Sequence, residues 1–137
     1  MRIISGIFKG KKIKYLKNST TRPLKDAVKE NIFNVLEHSN KININIKKSY
    51  VLDLYSGIGS FGIECVSRGA EKVVFCEKDI FATKILKENL IDLSIINKSI
   101  IINKKIQDFL TEDLNEKFNI FFLDPPFASN DFIQILN

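Results

Sequence analysis

The sequence predicts an α/β fold: a doubly wound, Rossmann-like parallel sheet of strand order 3-2-1-4, preceded by an N-terminal hairpin and helix. Three observations carry this. From residue 49 onward, apolar runs that read as strands alternate with amphipathic runs that read as helices, the pattern of parallel strands joined by right-handed crossovers. The strand runs are continuously apolar, as in strands covered on both faces. The first of them leads into Gly57, Gly59 and Gly62 at G-x-G-x-x-G spacing, the turn by which such sheets bring backbone close to a ligand.

The elements follow in order. Residues 1–16 alternate loosely, with Gly6 and Gly10 as punctuation, and predict a short hairpin bearing lysines on one face. Residues 17–25 contain Pro23 and read as a loop. Val28, Ile32, Val35 and Leu36 recur at helical spacing behind Asp26, giving a helix over 26–38. Residues 39–48 read as an exposed connector. The first strand is 50–55, and a helix over 60–68 is stopped by Gly69. KVVFC (72–76) is the second strand. Asp79 caps a helix that carries Ala82, Ile85, Leu86, Leu90 and Leu93 on one face. SIIIN (99–103) is the third strand, a short helix lies near 107–110, and FNIFFL (118–123) is the fourth strand. The chain divides into 1–48, a basic extension on the substrate side, and 49–137, the ligand-binding core.

The 137 residues suit one core, and 45% hydrophobic with 27% charged residues suits a folded domain. No apolar run approaches the roughly 20 residues that span a bilayer, and the first residues lack the features of an export signal, so a cytoplasmic protein is expected. Cys65 and Cys76 are expected to be reduced, half-buried thiols, and a single histidine, His38, argues against a Cys/His metal site. The net charge of +5 is compatible with a polyanionic partner. Its distribution says more: Arg2, Lys9, Lys11, Lys12, Lys14 and Lys17 crowd the first 17 residues, with no acid among them.

Glu77 closes the second strand, 20 residues after Gly57, where an acid accepts hydrogen bonds from ribose hydroxyls. Asp53 stands just ahead of the glycines and is expected to face the ligand crevice. A carboxylate beside a pyrophosphate costs electrostatic energy, whereas one beside a cation gains it. S-adenosylmethionine offers an ammonium, a sulfonium, a ribose and an adenine, with no phosphate. After the fourth strand comes Asp124-Pro125-Pro126-Phe127. In the doubly wound order this tetrapeptide meets Asp53 and the glycines at the switch point. Asp124 and the Pro125 carbonyl are suited to accept hydrogen bonds from an exocyclic amine of a base and aim its lone pair at a methyl group. The prolines stiffen the loop, and Phe127 offers a face on which a flipped base stacks.

These motifs resemble amino-methyltransferases that use S-adenosylmethionine. The opening MRIISGIFKGKKI and the stretch TRPLKDAVKENIFNVL (21–36) resemble the RsmD family, bacterial enzymes that methylate N2 of a guanine in small-subunit (16S) ribosomal RNA. The resemblance implies a Rossmann-like methyltransferase fold with the cofactor at Asp53, Ser56, Gly57, Gly59 and Glu77. It places the target amine at Asp124, Pro125, Pro126 and Phe127. The hairpin and Thr21-Arg22-Pro23 would border the cleft, with Arg2, Lys9, Lys11, Lys12 and Arg22 as RNA-contacting cations. The partner is small-subunit ribosomal RNA or its assembling particle, and a monomer is expected. Two departures stand out. Where the family has a Gly-Asp pair after strand three, this chain has Asn103-Lys104-Lys105-Ile106-Gln107-Asp108, with Asp108 as candidate replacement. The chain also ends at Asn137, ten residues past Phe127, and so is C-terminally truncated relative to the family. An exposed edge on the fourth strand, self-association and lowered stability are expected to follow. Other readings stay open: an NAD(P)-binding domain, an RNA-binding remnant without turnover, a DNA amino-methyltransferase acting on adenine N6 or cytosine N4, and, ranked last, a methyltransferase of a glutamine side chain.

Overall fold

The computed structural model describes residues 1–16, 24–42, 44–111 and 116–125. Four strands form one parallel sheet: β1 (Tyr50–Leu54), β2 (Lys72–Cys76), β3 (Ser99–Ile102) and β4 (Ile120–Leu123), in the order β3-β2-β1-β4. The helices are α1 (Asp26–His38), α2 (Ser60–Ser67), α3 (Ile80–Asp92) and α4 (Ile106–Leu110). The order and all four strands agree with the expectation drawn from the hydrophobic pattern, with ends shifted by a residue or two.

Register decides which side chains share a face. Asp53 of β1 lies level with Phe75 of β2 and Phe122 of β4. Side chains alternate along a strand, so Val51, Val73, Phe75 and Ile120 join one core, beneath α2 and α3, with Phe61, Ile63, Leu86 and Leu90. Leu52, Leu54, Val74 and Cys76 pack on the opposite face against Ile106 and Phe109 of α4. Asp53 belongs to the α2 side, and so, two residues beyond Phe75 and Phe122, do Glu77 and Asp124.

α2 is buried along its whole length, because the sheet covers one side and the N-terminal segment with α1 covers the other. That segment is a ribbon closed by one antiparallel bridge, Arg2 to Lys12, with Ile3 N–H donating to Lys11 O (2.9 Å) and Ile13 N–H to Met1 O (3.2 Å). Ile3 and Ile13 are buried in the core. The ribbon lies along α2: Ile4 and Ser5 N–H donate to Glu64 (2.8 and 3.0 Å), and Ile7 and Phe8 N–H donate to Ser67 (2.8 and 3.0 Å).

Three expectations are corrected. α1 packs through Lys29 and Phe33, with Ile32 and Leu36 half-buried against the same core, as the apolar spacing marked; the buried face is turned toward Lys29, and Val28 and Val35 are exposed. The rotation has a cause: Lys29 Nζ is fully buried and bonded to Arg2 O (2.8 Å), Ser60 Oγ (3.1 Å) and Glu64 Oε1 (3.4 Å). The connector after α1 is not wholly exposed, since Ile46 is buried in the core. Cys65 and Cys76 are reduced, as expected, but fully buried instead of half-buried, and burial pushes the Cys65 thiol up. β3 and β4 are the edge strands among the described residues, and β4 leaves Phe121 exposed.

Candidate active site

The site is built at the carboxyl ends of β2, β1 and β4. Beyond β1 the backbone turns through Tyr55 at φ 56° and Gly57 at φ 56°, then Gly59 at φ 93°, into α2. A side chain on Gly57 would meet nothing within 4 Å, whereas one on Gly59 would strike Leu86 Cδ1 at 2.4 Å and one on Gly62 would strike the Phe75 ring at 2.3 Å. The glycines therefore divide their work. Gly57 keeps open backbone at the surface of the site, and Gly59 and Gly62 let α2 settle against the sheet and α3.

Glu77 ties this turn to the next strand. Its Oε2 accepts the Gly57 N–H (2.8 Å) and its Oε1 accepts the Asp79 N–H (3.0 Å). Ser56 N–H donates to Cys76 O (3.0 Å), closing the same seam. Asp79 caps α3 as expected, accepting from Phe81 and Ala82 N–H (2.8 and 3.0 Å). The Ser56 hydroxyl is buried and has no hydrogen-bond partner among the described residues, a polar group that a bound molecule at the loop could satisfy. A small pocket opens beside this seam, between Tyr55, Glu77, Lys78, Lys104 and Gln107.

Asp53 does not face an open crevice, contrary to expectation. It is 1% exposed, and its Oδ2 accepts the Gly62 N–H (3.1 Å), one of the first-turn donors of α2 that has no partner inside the helix. Burial pushes its carboxyl up to about 8, against that hydrogen bond, with Asp124 and Glu77 adding repulsion. Asp53 thus lies between two acids of the adjacent strands, both of which repel its charged form. Asp124 follows β4 directly and is solvent-exposed as a residue, yet partial desolvation raises its carboxyl as well. Its strand is anchored from behind: Phe122 stacks on Phe61 (centroids 3.8 Å apart), and Phe61 on Phe33 (5.0 Å).

The other predicted residues fall as follows. Pro125 stands beside Asp124, while Arg22, Pro126 and Phe127 lie outside the described residues. Asp108 is exposed on α4 and does not line the pocket; Gln107, its neighbour, does. Of the ribbon cations, Arg2 is linked to the start of α2 through Lys29 Nζ, which contacts both Arg2 O and Ser60 Oγ; its guanidinium is 3.8 Å from Asp26. Lys12 is paired opposite Arg2. Lys9 and Lys11 belong to the turn at the Ser67 end of α2, about 10 Å of helix away. The sequence reading missed the Lys29–Glu64 pair, the Phe33–Phe61–Phe122 stack and Asn103. The stack and the pair join residues far apart in sequence, and no local pattern marks them.

The fold is that of the Rossmann-like methyltransferases, with the candidate site at the carboxyl ends of the central strands. The chain matches the family described as "Conserved hypothetical protein 95" over residues 1–137 and belongs to it; this is the RsmD family. It is 39% identical over 132 residues to Ribosomal RNA small subunit methyltransferase D of Haemophilus influenzae, covering 95% of this chain and 65% of that one. Among solved structures, a putative methylase from Haemophilus influenzae superposes with a TM-score of 0.75 at 36% identity, over 98% of this chain and 69% of that one. A putative methyltransferase from Escherichia coli superposes at 0.78 with 29% identity, over 95% and 66%. The chain spans about two thirds of the length of such relatives.

The residues present fit the methyl donor. The open backbone at Gly57, the orphan hydroxyl of Ser56 and the acids Asp53 and Glu77 suit a cationic nucleoside.

Proposed function

We propose that this chain carries the methyl-transfer site of an enzyme that methylates the exocyclic N2 amine of a guanine in small-subunit (16S) ribosomal RNA. One observation supports this above the others: Glu77, Asp53 and Asp124 end three adjacent strands on one face, with Asp53 electrostatically coupled to both of its neighbours. Adjacent strands lie about 4.8 Å apart, so β2 and β4 are separated by about 10 Å. That distance suits a nucleoside held at one end and a reacting amine at the other. The guanine and the 16S RNA rest on the family resemblance and on the names of the relatives.

S-adenosylmethionine, when bound, supplies a methyl group on a positively charged sulfur. Glu77, fixed by the Gly57 and Asp79 amides, accepts the ribose hydroxyls. The loop around Ser56, Gly57 and Gly59 would receive the cationic end, with the buried Asp53 beneath it supplying negative potential. Asp124 and the Pro125 carbonyl accept the N–H groups of the target amine, orient its lone pair and stabilise the positive charge that develops on nitrogen. Asp124, already raised toward protonation by its surroundings, is suited to take the proton afterwards. Pro126 and Phe127 complete the motif in the sequence.

The test is methyl transfer from labelled S-adenosylmethionine to small-subunit RNA and to assembling particles. Asp124→Ala is expected to lower the rate at least 100-fold with cofactor affinity changed by less than threefold. Calorimetric titration that shows NADH binding and no S-adenosylmethionine binding would overturn the reading. Label arriving on DNA instead of RNA would favour the DNA alternative.

A further inference from the structure

Asn103 is the first residue beyond β3, and its side-chain amide sits at a junction of three elements. Its Nδ2 lies 2.9 Å from Glu77 O, 3.3 Å from Lys78 O and 3.1 Å from Thr83 Oγ1. Two amide hydrogens thus serve three acceptors: two carbonyls of the turn after β2 and the hydroxyl on the first turn of α3. Thr83 in turn donates to Asp79 O (2.8 Å). The sheet ladder reaches only as far as Glu77 N–H, which donates to Ile102 O (3.0 Å). Where backbone pairing stops, one residue later, the Asn103 side chain takes over.

We infer that Asn103 is a positioning residue for the nucleoside: by fixing the carbonyls of Glu77 and Lys78 it sets the direction in which the Glu77 carboxylate is offered to the ribose. This rests on the reading that Glu77 receives the ribose hydroxyls. The physical reason is economy of constraint. Both Glu77 oxygens already hold backbone amides, Gly57 on one side and Asp79 on the other, so the carboxylate moves with the turn. The turn is outside the ladder, and its two carbonyls would otherwise exchange with water. Asn103 itself does not line the pocket, so it acts through Glu77.

The experiment measures affinity by calorimetry for S-adenosylhomocysteine and for its 2′,3′-dideoxy analogue, using the full chain and the variants Asn103→Asp and Asn103→Ala. The unaltered chain is expected to prefer the ribosyl ligand. Each variant is expected to lose about 3- to 10-fold in affinity for it while binding the dideoxy analogue within twofold of the unaltered chain. Equal weakening of both ligands, or of neither, would overturn the inference and leave Asn103 a general stabiliser of the turn. Equal affinity of the unaltered chain for the two ligands would remove the ribose contact of Glu77 itself, and the inference with it.

Discussion

Asp53 shows how one side chain can serve structure and chemistry at once. It is buried under the turn it supports, it accepts a helix amide, and its carboxyl is pushed up to about 8, far above the ordinary value near 4. The folded chain therefore holds a proton on Asp53 between about pH 4 and pH 8 that the unfolded chain has lost. By linkage, this group's contribution is fully present below about pH 4 and is lost as pH rises through about 8. Asp53→Asn is expected to flatten the decline in stability across that window, as read by urea unfolding at several pH values. A cationic ligand reverses the preference, since it favours the ionised carboxylate. Binding of S-adenosylmethionine at pH 7 is then expected to release a proton, visible as a buffer-dependent heat, and Asp53→Asn is expected to abolish that release. The acid's position ahead of the glycines was legible in the sequence; its burial was not, because burial depends on how α2 closes over it.

Among the elements, α2 bears the tightest constraints. A methyl group at Gly62 would lie 2.3 Å from the Phe75 ring and 2.8 Å from Val73 Cγ1, atoms of a central strand that cannot yield. Gly62→Ala is expected to lower stability by about 2 kcal/mol, at the scale of overpacked cores. Gly57→Ala has open space around it and costs only the left-handed backbone, about 1 kcal/mol, yet it crowds the ligand side. Paired denaturant melts and cofactor titrations separate the two: Gly62→Ala loses chiefly stability, Gly57→Ala chiefly affinity. The G-x-G-x-x-G spacing revealed the loop, but it gave all three glycines one appearance. Hydrophobic periodicity misled at α1 for a related reason, since a buried lysine reads as a polar position until its carboxylate partner on another helix is known. The strands, in contrast, were legible almost residue by residue, because each is a mainly apolar run, broken in β1 only by Asp53.

For the whole molecule, the decisive joint is Lys29 with Glu64. Both are fully buried, and Glu64 also receives Ile4 N–H, Ser5 N–H and Arg68 Nε (2.8, 3.0 and 2.9 Å). This cluster fastens the ribbon and α1 to the core. Lys29→Met leaves a buried carboxylate short of a cation and is expected to lower unfolding free energy by about 3 kcal/mol, measured by urea titration. Because the ribbon covers α2, loss of amide protection at Ile4 and Ser5 in hydrogen exchange is expected to accompany it. The register of β1 with its two neighbours has a different consequence. The spacing of the two outer acids is measured across the central strand, in rungs, and no crossover segment enters it. Lengthening a connection by several residues leaves that gauge intact. A single residue inserted within β4 would swing the last acid to the far side of the sheet and empty the site without unfolding anything else.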